Sequence, residues 1–68
     1  MTEPEIRQIL ANKLVDQGIT DLAEELNVKR QYVYQLVNGD RHISRGIAKK
    51  LGYKLIVTKI INREYLPL

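Results

Sequence analysis

Residues 22–39 read LAEELNVKRQYVYQLVNG. The stretch has the pattern of two short helices joined by a tight bend at Asn27, Val28 and Lys29. Asn is one of the few residues besides Gly that enter the left-handed region at small cost, so Asn27 suits a sharp change of direction. Past the bend, Val33, Leu36 and Val37 fall at i, i+3 and i+4 on a helix expected over about 30–38, and they turn inward. Arg30, Gln31, Tyr34, Gln35 and Asn38 share the opposite side. That side carries a guanidinium, three carboxamides and a phenol, and no acid. Arg matches the acceptor edge of guanine in the major groove, and Gln or Asn matches adenine. Taken alone, the same residues also fit an ordinary solvated face, although such faces usually mix Glu with Lys.

Upstream, a first helix is expected over about 3–17. Thr2 and Glu5 have capping-box spacing, and Pro4 fits the first turn, where its missing N–H costs nothing. Ile6, Ile9, Leu10 and Leu14 form an apolar stripe, and Gly18 is the stop. Thr20 is the expected N-cap of a second helix over about 21–27, with Leu22, Ala23 and Leu26 inward and Asp21 near the positive helix end. Downstream, residues 38–42 (NGDRH) read as a loop. Ser44 is the expected N-cap of a fourth helix over about 45–51, with Ile47, Ala48 and Leu51 inward and Gly52 ending it.

The pattern then changes. Residues 53–61, YKLIVTKII, are rich in β-branched side chains, and a strand is expected over about 54–61. Both of its faces are apolar, with Leu55 and Val57 on one and Ile56 and Ile60 on the other. No second strand is evident in the chain, and an unpaired apolar edge invites association. Two copies are therefore expected to pair this strand across a two-fold axis, with Leu55, Ile56, Val57 and Ile60 at the dimer contact. The alternatives are a hairpin within residues 53–65 or a fifth helix. Residues 63–68 read as a tail, with Pro67 opposing regular pairing. The expected fold class is mainly α: four helices and one C-terminal β-strand in a single domain.

A chain of 68 residues allows one domain. A domain of this size buries only ~60% of the surface its unfolded chain exposes. With no Cys, neither a disulfide nor a thiolate metal site can staple it. Lys plus Arg number 11 against 8 Asp plus Glu, for a net charge of +3. Six of the 8 acids precede residue 26, whereas nine of the 11 bases lie at Lys29 or beyond. The basic part thus has an electrostatic reason to face phosphates. No apolar run approaches the ~18 residues of a membrane span, and the polar start MTEPEIRQ is not a signal peptide, so a soluble cytoplasmic protein is expected. His42 is the one His, there is no Gly-rich phosphate loop, and the adjacent Glu24 and Glu25 point to different sides of a helix. No enzyme activity, metal, cofactor or small-molecule ligand is indicated.

Residues 18–39 resemble the helix-turn-helix of λ-repressor-like, Cro-type (XRE-type) DNA-binding proteins. Leu22-Ala23 matches the pair at the close helix crossing, and Asn27-Val28 stands at the family's usual Gly-Val turn. Val33 and Leu36 match the two buried positions of the recognition helix, and Asn38-Gly39 matches the Asn-Gly that commonly follows it. The resemblance covers about residues 6–52, and the short length suits a phage or prophage regulator. Lys29 departs from the family's Ser or Thr N-cap. The resemblance implies a repressor-like transcriptional regulator that binds a near-palindromic site on double-stranded DNA as a homodimer. By position within the motif, Arg30, Gln31, Tyr34 and Gln35 would face base edges. Gln31 and Gln35 would pair with adenine and Arg30 with guanine. Lys29, Asn38, Arg41, His42 and Arg45 would bind phosphates, which position the protein without reading sequence. Two readings compete. One is an antitoxin-like or inhibitor module that uses the same fold to bind protein. The other is an RNA binder, which needs exposed aromatics to stack on bases, and Tyr34 is the one clear candidate.

Overall fold

The computed structural model describes residues 1–57 and 63–68. Helix α1 (Glu3–Gln17) starts where the Glu5 carboxylate accepts from both the N–H and the hydroxyl of Thr2. It ends at Gly18, whose φ of 85° is open to Gly and strained for other residues. The Gly18 N–H donates to the Leu14 carbonyl, and the Gly18 carbonyl accepts from Leu22. One glycine therefore closes α1 and opens α2 (Ile19–Leu26). Thr20, the expected N-cap of the second helix, lies inside it instead, because Gly18 makes the bend earlier than an N-cap hydroxyl would require.

Helix α2 ends at Asn27, which takes the left-handed conformation at φ 56° and ψ 48°. The Val28 N–H returns to the Ala23 carbonyl at 3.0 Å, and α3 (Arg30–Asn38) follows at once. Ala23 is 5% exposed, a small side chain within the core beside the bend between α2 and α3. Gly39 ends α3 at φ 87°. Helix α4 (Arg45–Lys50) is capped by the Ser44 hydroxyl, which accepts from the Ile47 N–H.

The C-terminal part differs from the expected single strand. Strand β1 (Tyr53–Val57) pairs antiparallel with β2 (Arg63–Pro67), in the register Leu55 opposite Tyr65 and Tyr53 opposite Pro67. A hairpin is observed, and it runs past the alternative placed within residues 53–65 to Pro67, so residues 63–67 are a strand and not a tail. Pro67 does not prevent this. The Tyr65 N–H points away from β1 to the Met1 carbonyl, at 2.7 Å. Alternation puts the Pro67 nitrogen on that same side, so the proline removes no ladder bond to β1. The N-terminal segment thus lies along the far edge of β2, bridged at Thr2 and Glu64.

Ile6, Leu10, Leu22, Leu26, Val33, Leu36, Ile43, Leu55 and Tyr65 meet in one core, and Tyr65 is its largest fully buried side chain. Leu55, expected at a dimer contact, is a core residue of the monomer, because β2 turns that face of the hairpin onto the helices. Ile56 is partly buried on the other face, and Val57 is 52% exposed at the end of the strand. Ile60, with the end of the strand expected at about 54–61, lies outside the described residues.

Candidate nucleic-acid interface

Helix α3 buries Val33 and Leu36 and leaves its other side outward. Arg30, Gln31 and Asn38 are exposed, Tyr34 is 48% exposed, and Gln35 is half-buried. Lys29 precedes the helix in extended conformation, with no side-chain cap on the first-turn N–H groups. The uncapped, positive end of α3 and the Lys29 and Arg30 cations therefore lie together, a local field that favours anions. Val28, Lys29, Gln31, Tyr32, Gln35 and Arg41 line one shallow groove along this helix. Arg45 is exposed at the first residue of α4.

Two residues expected to act separately are in contact. The Arg41 Nε–H donates to Gln35 Oε1 at 2.5 Å, and the guanidinium carbon lies 4.8 Å from the centre of the Tyr32 ring. The loop that carries Arg41 is tied to α1. Arg7 donates from Nε to the Leu36 carbonyl at 2.8 Å and from Nη2 to the Arg41 carbonyl at 3.0 Å. One side chain near the start of the chain thereby joins the end of α3 to the loop after it.

Glu3 is the second anchor. Its carboxylate, 15% exposed, accepts from His42 Nδ1 at 2.9 Å and from the Ile43 N–H at 3.0 Å. Arg7 and Arg63 lie 3.6 and 3.8 Å away. The Tyr65 hydroxyl sits 2.8 Å from the Ile43 carbonyl and 3.1 Å from Glu3, its single proton shared between two acceptors. Burial pushes the Tyr65 phenol up, and the nearby Glu3 charge adds to the rise against the opposing effect of Arg63. Burial works against the Glu3 charge, but the His42, Ile43 and Tyr65 hydrogen bonds outweigh it and hold the carboxyl below its ordinary range. A lowered carboxyl pKa stabilises the fold above the unfolded-state pKa, and that contribution disappears as pH falls through the folded value. Glu3→Gln is therefore expected to be less stable than the parent at neutral pH, by about 1–2 kcal/mol for weakened charge-assisted hydrogen bonds. The gap should close on acidification. Urea melts of both proteins at neutral and acidic pH measure it, and a gap that stays constant would contradict the assignment.

Glu3, Arg7, Arg63 and Tyr65 were not indicated by the sequence patterns that find the outward face of α3. The i, i+4 pair of Glu3 and Arg7 is visible locally, but its partners stand 29 or more residues away. Lys50, at the end of α4, donates from Nζ to the Leu26 carbonyl at the end of α2.

A family of proteins described as helix-turn-helix matches residues 6–52, the span from the first buried residue of α1 to Gly52, just past α4. The chain belongs to this family, of the λ-repressor-like (XRE) type, a class of DNA-binding regulators. No curated protein and no solved structure matches it. Among the described residues, no helix is long and apolar enough to cross a membrane.

Proposed function

We propose that the chain is a repressor-like transcriptional regulator that binds a near-palindromic operator on double-stranded DNA as a homodimer in the cytoplasm. The observation that carries this reading is the outward side of α3. It is free of acids, holds Arg30, Gln31, Tyr34 and Gln35, and is flanked by the exposed bases Lys29, Arg41 and Arg45. Laid in the major groove, that side meets base edges, while the flanking cations reach the phosphates. Asn38 is a further phosphate donor at the end of the helix. With Nδ1–H committed to Glu3, His42 has a second N–H for a phosphate only as the imidazolium.

The homodimer reading rests on the hairpin. Leu55 and Tyr65 form a pair whose backbone groups point away from each other, since the Tyr65 N–H and carbonyl bond to Met1. The Tyr53, Leu55 and Val57 backbones therefore turn to the outer edge of β1, where no further strand lies among the described residues. Two such edges, with Ile56 and Val57 beside them, pair across a two-fold axis and carry two recognition helices to sites ~34 Å apart. The phosphate contacts have a direct test. Lys29→Ala should weaken binding to all duplexes alike and reduce the slope of log K against log salt by ~0.9. An unchanged slope would remove Lys29 from the interface.

A further inference from the structure

The contact between Gln35 and Arg41 bears on which base Gln35 selects, an inference that rests on α3 as the base-reading helix. A guanidinium has N–H donors and no acceptor, so the Gln35 atom facing Arg41 is the carboxamide oxygen. Arg41 is itself fixed. Tyr32 lies against its guanidinium, and Arg7 holds its carbonyl while also holding Leu36 on α3. The amide of Gln35 therefore has one orientation, with its oxygen toward Arg41 and its NH2 group away from it.

Adenine needs both ends of a glutamine amide, the oxygen to accept from N6–H and the NH2 to donate to N7. Here the oxygen already accepts from Arg41. Its remaining lone pair lies beside a cation, which repels the partly positive hydrogens of an approaching base amine. Guanine offers only acceptors on this edge, N7 and O6, and suits an NH2 donor with a positive neighbour. We propose that Arg41 is a specificity-determining residue that pins the Gln35 oxygen and so makes Gln35 a donor that selects guanine over adenine.

The test begins with duplexes selected from a random library by the full chain. Gln35→Ala identifies the base pair at which preference is lost. Four matched duplexes that differ only there are then titrated with the parent, Arg41→Met and Gln35→Glu, each confirmed folded by circular dichroism. The parent should prefer guanine to adenine by about tenfold, the scale of one good base contact. Arg41→Met should bring the two within about twofold, because the freed amide can turn to adenine, and should leave preferences elsewhere in the site unchanged. Gln35→Glu, which has no N–H, should lose guanine and gain cytosine, whose N4 donates. Adenine preferred by the parent would overturn the proposal. So would Arg41→Met weakening all four duplexes equally, guanine still preferred by Gln35→Glu, or no position sensitive to Gln35→Ala. Equal binding of every duplex by the parent would instead overturn the base-reading role of α3 as a whole.

Discussion

Tyr65→Ala is expected to leave the chain largely unfolded at room temperature. The ring is fully buried, opposite Leu55 and within the same core as Ile6, Leu10 and Ile43. Removing a large buried aromatic side chain costs about 3–5 kcal/mol. A single core in a domain of this size rarely supplies more than about 3–5 kcal/mol in total. Tyr65→Phe should be far milder. It keeps the ring and loses the hydroxyl, while the Ile43 carbonyl still accepts from Arg63 at 3.2 Å. A cost of about 1–2 kcal/mol is expected for that hydrogen bond. Urea titration followed by circular dichroism separates the two variants. If Tyr65→Ala melted at the parent's midpoint, β2 would not be part of the core.

The second large effect contrasts neighbours on β1. Leu55→Lys places an ammonium group at a core position that is 5% exposed, and among the described residues no fully buried carboxylate is there to receive it. Uncompensated burial of a charge costs several kcal/mol, so this variant should not fold at any protein concentration. Ile56→Lys points to the other side of the sheet and should fold normally. Its effect should appear in sedimentation, as monomer under conditions where the proposed pairing of β1 edges makes the parent dimeric. A one-residue slip of register exchanges the two faces of a strand. An unfolded Ile56→Lys beside a folded Leu55→Lys would therefore show that the register of β1 against β2 is wrong. A folded Ile56→Lys that remained dimeric would remove the β1 edge from the dimer.

The helical part of this fold is legible because its signals are local. Leu22, Ala23 and Leu26, then Val33 and Leu36, recur at helical spacing, and each is buried as that spacing predicts. Asn27 announces its left-handed turn by residue type alone. Ser44 and Gly18 mark helix ends for the same reason, although Gly18 also opens α2 and so displaces Thr20 from the cap. The hairpin was harder to see. Residues 63–67, REYLP, offer only one inward side chain, Tyr65, because that face of so short a strand is otherwise Arg63 and Pro67. A single buried residue has no periodicity, and Pro67 suggests irregular chain unless the direction of its nitrogen is known. The anchors of the loop after α3 were illegible for a related reason. Glu3 meets His42 and Tyr65 across 39 and 62 residues, and no local pattern encodes such a meeting. The excess of acids near the start and of bases beyond Lys29 is its one trace in the sequence, since Glu3 comes from the first group and Arg63 from the second.

The polar residues that share the outward side of α3 are exposed or half-buried, as their spacing predicts, but the spacing carries no sign of the network they join. Spacing along a helix shows which residues share a side. It does not show that a loop returns Arg41 to Gln35 and Tyr32. The chemistry of the face therefore depends on α1, through Arg7, as much as on the helix that displays it.

Sequence-selective recognition of duplex DNA is the central claim, and selection from random duplex DNA by the full chain tests it most directly. Bound sequences would be read after selection at two salt concentrations. The expected result is enrichment of a near-palindrome with half-sites about 10 base pairs apart, and affinity that falls steeply with salt. A bound pool indistinguishable from the input, or no duplex retained at low salt, would contradict it.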